Sequence, residues 1–134
     1  MSAKKTGQQT AVLASPPTIL CAGNVVGRME GEGPLAACFD YVDQDDTFGE
    51  ATWEQSERAM QQKALALALQ KGGLTAQQLD YLFAGDLLNQ CVSSSYAARE
   101  QKIPFFGLYG ACSTFGEGLI LASMALDGSF GERA

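Results

Sequence analysis

From Thr52 to Leu126 the chain alternates helical and extended patterns without interruption, and this alternation restricts the fold more than any other feature. Behind Thr52, an N-cap residue, Ala59, Met60, Ala64, Leu65, Ala68 and Leu69 recur at the spacing of one helix face. Gly72-Gly73 ends that helix in the manner of C-cap glycines. Thr75, with Gln78 three residues on, has the capping-box pattern of a short helical turn. Residues 79–84 then read as a buried strand ending at Gly85-Asp86. A second helix is predicted over 90–101, stopped before Ile103-Pro104 because a residue preceding proline resists the helical region. Residues 105–109 form a second apolar strand closed by Gly110, and a third helix runs over about 113–126. Helix, strand, helix, strand, helix is the pattern of an α/β unit with parallel strands and crossover helices.

The first 50 residues are less regular. Residues 1–9 are polar and predict a disordered N-terminus, with the folded part spanning 10–134. Residues 10–14 and 19–22 read as short strands around the Ser15-Pro16-Pro17 break. Residues 23–52, rich in Gly, Asp and Glu, predict a covering loop with one anchoring turn at Pro34-Leu35 and Cys38-Phe39. A strand is expected after the third helix of such a unit. None is legible before Ala134, so the expectation is a half-domain truncated before its last strand.

Composition removes several function classes. At 134 residues the chain is one domain or a piece of one. Lys and Arg total 9 against 15 Asp and Glu, and the densest basic stretch is Lys4-Lys5. Nucleic-acid backbones are met by clustered cations, so no nucleic-acid partner is expected. The histidine count is zero, which leaves no Cys-His, Ser-His or His-metal chemistry to these residues alone. Residues 11–22 are broken by Ser15, Pro16 and Pro17, so no signal-peptide core is present, and no apolar run nears the ~20 residues of a membrane span. Cys21, Cys38, Cys91 and Cys112 lack CxxC or zinc spacing. They predict free thiols in a soluble, cytoplasmic-type protein, with no metal site and no cofactor.

Ligands of open α/β sheets bind beyond the carboxyl ends of the strands, which here means the turns at 84–90 and 109–114. Cys112 stands at a strand-to-helix turn among small residues. A helix N-terminus favours a thiolate there and offers N–H groups to a carboxylate. The other reading of Cys112 is a small hydrophobe packed under the helix, capped by Ser113 or Thr114. Asp86 is either an N-cap or a ligand contact, and Asn89 and Gln90 either orient a ligand or cap the helix. Asp43, Asp45, Asp46 and Glu50 lack EF-hand spacing and read as a solvated loop. The turn at 110–113 has no basic neighbour and is no Lys-bearing phosphate loop.

Ala22-Gly23, Gly33-Pro34-Leu35, Phe39-Asp40, Trp53-Glu54, Ala84-Gly85-Asp86-Leu87-Leu88-Asn89-Gln90, Lys102-Ile103-Pro104-Phe105 and Gly110-Ala111-Cys112-Ser113-Thr114 resemble the stage V sporulation protein AD family, from about residue 7 to the end. The resemblance implies a thiolase-like layered fold, of which this chain is the N-terminal half. It implies a bacterial, non-catalytic protein that binds dipicolinic acid (pyridine-2,6-dicarboxylate) for uptake into the developing spore. It further implies membrane-embedded partners of the same sporulation operon, a peripheral place at the spore inner membrane, and a homodimer when intact. Thiolase relatives carry their acyl-accepting cysteine at the position of Cys112, with its His and Asn partners in the other half. The competing expectation is therefore an acyl transferase of the ketoacyl-synthase or thiolase class with Cys112 as nucleophile, which needs a base nearby. For dipicolinate the expected contacts are Cys112, Asp86, Ser113 and Asn89, with Tyr109 and Phe115 as apolar walls. Asp86 repels a dianion, so either Asp86 is protonated or it meets the metal of the ligand's calcium chelate.

Overall fold

The computed structural model describes residues 4–134. Its longest element is helix α2 (Trp53–Gly72), and both ends have local causes. Thr52 has extended backbone and its Oγ1 accepts the N–H of Gln55 at 3.3 Å. At the other end Gly73 takes a left-handed φ of 62°, which lets its N–H reach the Gln70 carbonyl while the Leu74 N–H reaches that of Leu69. Thr52→Ala removes the acceptor for one helix-terminal N–H and is expected to cost about 1 kcal/mol, read from the urea midpoint. A 3₁₀ turn (Ala76–Gln78) follows, with the Gln78 side chain accepting the Thr75 N–H at 2.8 Å as the capping box predicts.

Strand β5 (Leu82–Gly85) pairs in parallel with β6 (Phe105–Leu108), Leu82 opposite Phe105 and Gly85 opposite Leu108. Helix α3 (Val92–Gln101) is the crossover between them, and α4 (Thr114–Asp127) leaves β6 through a 3₁₀ turn (Ala111–Ser113). The α/β alternation is therefore present. Phe83 stacks on Phe106 with ring centroids 5.0 Å apart, and the most enclosed apolar side chains are Ala97, Ala98, Ile103 and Leu108 around α3 and β6. Among the described residues no helix is long and apolar enough to cross a membrane.

The N-terminal part departs from expectation in three ways. Residues 10–14 supply only the two-residue strand β2 (Thr10–Ala11), which pairs antiparallel with β1 (Lys5–Thr6) inside the stretch expected to be disordered. Asp127 anchors this hairpin by pairing with the Lys4 ammonium and accepting the Ser15 N–H at 2.6 Å. Residues 1–3 of that stretch lie outside the described residues.

Residues 19–22 form no strand, because the chain there runs along α2 instead of pairing with another strand. A Cβ on Gly23 would stand 2.5 Å from the Ala64 carbonyl oxygen, and one on Gly72 would stand 2.8 Å from the Cys21 sulfur. Last, the expected loop at 23–52 is structured. It holds β3 (Val25–Val26), a single helical turn α1 (Arg28–Gly31), a 3₁₀ turn (Ala36–Cys38) and β4 (Tyr41–Val42), which is parallel to β3. Asn24 and Asp40 clamp the 24–40 part of it, each side chain accepting the other's backbone N–H, and Lys71 pairs with Asp40 at 2.8 Å.

Candidate functional site

Along β5 and past its carboxyl end lies a cavity of about 660 Å³, walled by α2, β5, α3, the Ala111–Ser113 turn and α4. Asp86 and Cys112 both line it, as do Glu57 and Gln61 of α2 and Phe115 and Leu119 of α4. The two strand-end turns singled out by the sequence thus meet at one hollow.

Asp86 is 3% exposed. Its Oδ1 accepts the Cys91 N–H at 3.0 Å, and its Oδ2 accepts both the N–H and the hydroxyl of Ser94, at 2.9 and 2.7 Å. Burial alone pushes this carboxyl up. The donors of Ser94, with the N–H groups of Cys91 and Asn89, outweigh that and hold it below the usual carboxylate range. Asp86 is consequently an ionised, fully engaged wall that fixes the start of α3. It also explains the left-handed φ of Gln90 (50°) and Cys91 (70°), since the turn must curl back to bring N–H groups onto one carboxylate. The Cys91 thiol then donates to the Leu108 carbonyl at 3.1 Å, tying this turn to β6.

Cys112 sits in the 3₁₀ turn and its thiol is exposed, unlike the half-buried thiols of Cys21 and Cys91. Gly110 donates its N–H to Thr114 Oγ1 at 3.0 Å, while Ser113 donates its N–H and its hydroxyl to the Gly110 carbonyl. Ser113 is thereby occupied within its own turn and does not line the cavity. Asn89 is exposed, accepts the Val92 N–H on its carbonyl at 3.2 Å, and also stands outside the lining, as does Tyr109. Phe115 belongs to the wall.

Two wall residues had no signal in the local sequence. Glu57 accepts the Leu87 N–H on Oε1 at 3.2 Å, and Gln61 donates to the Gly85 carbonyl at 3.4 Å. Only their four-residue spacing on α2 hints that they share a face, and nothing in it says which strand that face meets. The acidic run is accounted for locally. Asp43 accepts from Asp45 N–H and Tyr41 hydroxyl, Asp45 from Thr47 and Gly49, and Glu50 lies 3.5 Å from Arg58.

Parallel strands joined by a crossover helix, with a cavity at the strand ends and a cysteine turn opening the next helix, define an α/β protein with a strand-turn-helix thiol site. The comparison with family models makes this specific: the model described as stage V sporulation protein AD (SpoVAD) matches residues 7–134, and the chain belongs to that family. It is 44% identical over 131 residues to stage V sporulation protein AD of Bacillus subtilis (strain 168). That match covers 98% of this chain and 39% of the relative, so the chain spans well under half of the relative's length.

Proposed function

We propose that this protein is a non-catalytic binding module for dipicolinic acid, acting in uptake of that ligand into the developing spore, and that the ligand enters the cavity beside Cys112. The observation carrying this reading is the cavity itself, of small-molecule size and sited where strand-end turns and a helix start converge. The aromatic ring finds apolar wall at Phe115 and Leu119, and the exposed thiol marks the mouth. Asp86 keeps its charge on internal donors and, with Glu57, makes the wall acidic. A bare dianion is repelled by such a wall, so the reading favours the calcium chelate, whose metal offsets the ligand's two carboxylates. Ser113 and Asn89 support the turns in this account, while Cys112 and Asp86 bound the ligand. A thiolase-like architecture, homodimerisation, membrane-embedded partners of the same operon and a peripheral place at the spore inner membrane complete the proposal for the whole protein.

Calorimetric titration of dipicolinate into the intact protein, with and without calcium, tests it. Saturable binding is expected, tighter with calcium, and Cys112→Leu is expected to weaken it at least about tenfold by filling the mouth. No binding in either condition overturns the reading. A stable acyl-enzyme mass increment at Cys112 after incubation with acyl-coenzyme A would instead favour the acyl-transfer alternative.

A further inference from the structure

Asp127-Gly128 is the one Asp-Gly pair of the sequence, and no Asn-Gly pair occurs. An Asp-Gly bond is open to imide formation because no side chain stands in the way of the glycine nitrogen. That nitrogen bonds to Cγ of the aspartate, its hydrogen and the carboxyl OH leave together as water, and a five-membered ring closes. Water then opens the ring at either carbonyl. One opening returns aspartate, and the other leaves isoaspartate, in which the side-chain carbon has become backbone. Nothing but water takes part.

The fold holds back both reacting groups. Gly128 donates its N–H to the Met124 carbonyl at 2.9 Å, which commits its nitrogen to the end of α4. The Asp127 side chain is 1% exposed, with the Lys4 ammonium 2.5 Å from Oδ2 and the Ser15 N–H donating to Oδ1 at 2.6 Å. Lys4 and the Ser15 N–H hold this carboxyl below the usual carboxylate range, so the protonated form that can lose water is scarce. Lys4 also donates to the Asp127 carbonyl at 3.2 Å, at the negative end of α4. The dependence is mutual. Residues 4–12 are exposed throughout. Among the described residues, the hydrogen bonds that 4–15 send to the rest of the chain end on Asp127. One residue thus fastens the N-terminal hairpin and is guarded by it.

We propose that Asp127-Gly128 is a latent isomerisation site gated by the N-terminal hairpin, and that its conversion to isoaspartate unfastens the hairpin. Isoaspartate adds one carbon to the backbone and moves the carboxylate, so Lys4 and Ser15 lose their shared partner. Neither Asp127 nor Gly128 lines the cavity of Cys112, so the site stands apart from the ligand reading. The test incubates the intact protein at neutral pH and follows isoaspartate at this bond by isoaspartyl methyltransferase labelling and peptide mapping. Wild type, Lys4→Gln, Lys4→Arg and the urea-unfolded chain are compared, with circular dichroism showing that both variants stay folded. Native wild type is expected to isomerise at least about tenfold more slowly than the unfolded chain, because the bond reacts only when locally open. Lys4→Gln is expected to react about fivefold faster than wild type through loss of one charge-assisted bond, and Lys4→Arg to restore the slow rate. Trypsin is expected to cut after Lys5 faster in the isomerised fraction than in the unmodified one. Equal rates in wild type and Lys4→Gln, or in native and unfolded wild type, would overturn the gating. Equal cleavage after Lys5 in the two fractions would overturn the release of the hairpin.

Discussion

Asp86→Asn is expected to destabilise the fold by about 3 kcal/mol, since a buried charged acceptor of three hydrogen bonds is replaced by a group that cannot serve all three. The amide nitrogen of asparagine would face an N–H or a hydroxyl, leaving buried donors of Ser94 or Cys91 unpaired. The left-handed turn at Gln90 and Cys91 would also lose the carboxylate that holds it. The substitution has a pH signature. The native Asp86 carboxyl is held below its unfolded value of about 3.9, so its contribution is fully present above about pH 4 and is lost as pH falls through the native value. Asp40, Asp45, Asp80 and Asp127 are held low too, by Lys71, the Gly49 N–H, the Glu132 N–H and Lys4 respectively, so acid weakens the wild type through several groups. The difference between wild type and Asp86→Asn isolates one of them. Urea denaturation of both proteins should show a gap at pH 7 that narrows below about pH 4. A gap that is constant with pH would mean that Asp86 contributes by packing and not by charge.

Gly85→Ala is expected to be at least as damaging. A Cβ at this position would overlap the Leu108 carbonyl oxygen and stand 2.6 Å from the Thr114 methyl carbon. The obstacle is the backbone of the neighbouring strand, which moves only by breaking the β5–β6 register. Overpacking of this kind costs about 3 kcal/mol, and it displaces the start of α4 together with the cavity wall. Gly116→Ala is the control. A Cβ there meets no neighbouring group within 4 Å, and replacing this helical glycine by alanine should raise stability by up to about 1 kcal/mol. Thermal unfolding of the pair reads both signs at once.

What the sequence made legible follows from length. The helices over 53–72, 92–101 and 114–127 and the strands between them are long enough for periodicity and caps to speak. Their edges moved for tertiary reasons. Residues 79–81 were expected to begin β5, but Asp80 donates its N–H to the Arg133 carbonyl and its carboxylate accepts the Glu132 and Arg133 N–H groups. Those bonds go to the last residues of the chain and delay pairing until Leu82. Helix α3 starts at Val92 instead of Gln90 because Asp86 curls the preceding turn. The two-residue strands and single-turn helix within 23–52 carry too few residues for any period to show.

The site divides the same way. Asp86 and Cys112 were visible because their places at strand ends are set by the local sequence. Ser113 and Asn89 are one and three residues away from them, yet the Ser113 hydroxyl bonds back to the Gly110 carbonyl and neither residue lines the cavity. Glu57 and Gln61 reach the cavity only through the docking of α2 against α3, a long-range event that no local motif encodes.

If dipicolinate occupies the cavity at Cys112 as proposed, it must shield that thiol from modification. Cys38 and Cys112 are both exposed thiols, and Cys38 takes no part in the cavity lining, so it serves as an internal reference. The intact protein is treated with iodoacetamide with and without saturating dipicolinate and calcium, and alkylation of each cysteine is followed by peptide mass spectrometry. Ligand is expected to slow modification of Cys112 severalfold while Cys38 reacts at an unchanged rate. Equal rates at Cys112 with and without ligand, under conditions where calorimetry shows binding, would place the ligand outside this cavity.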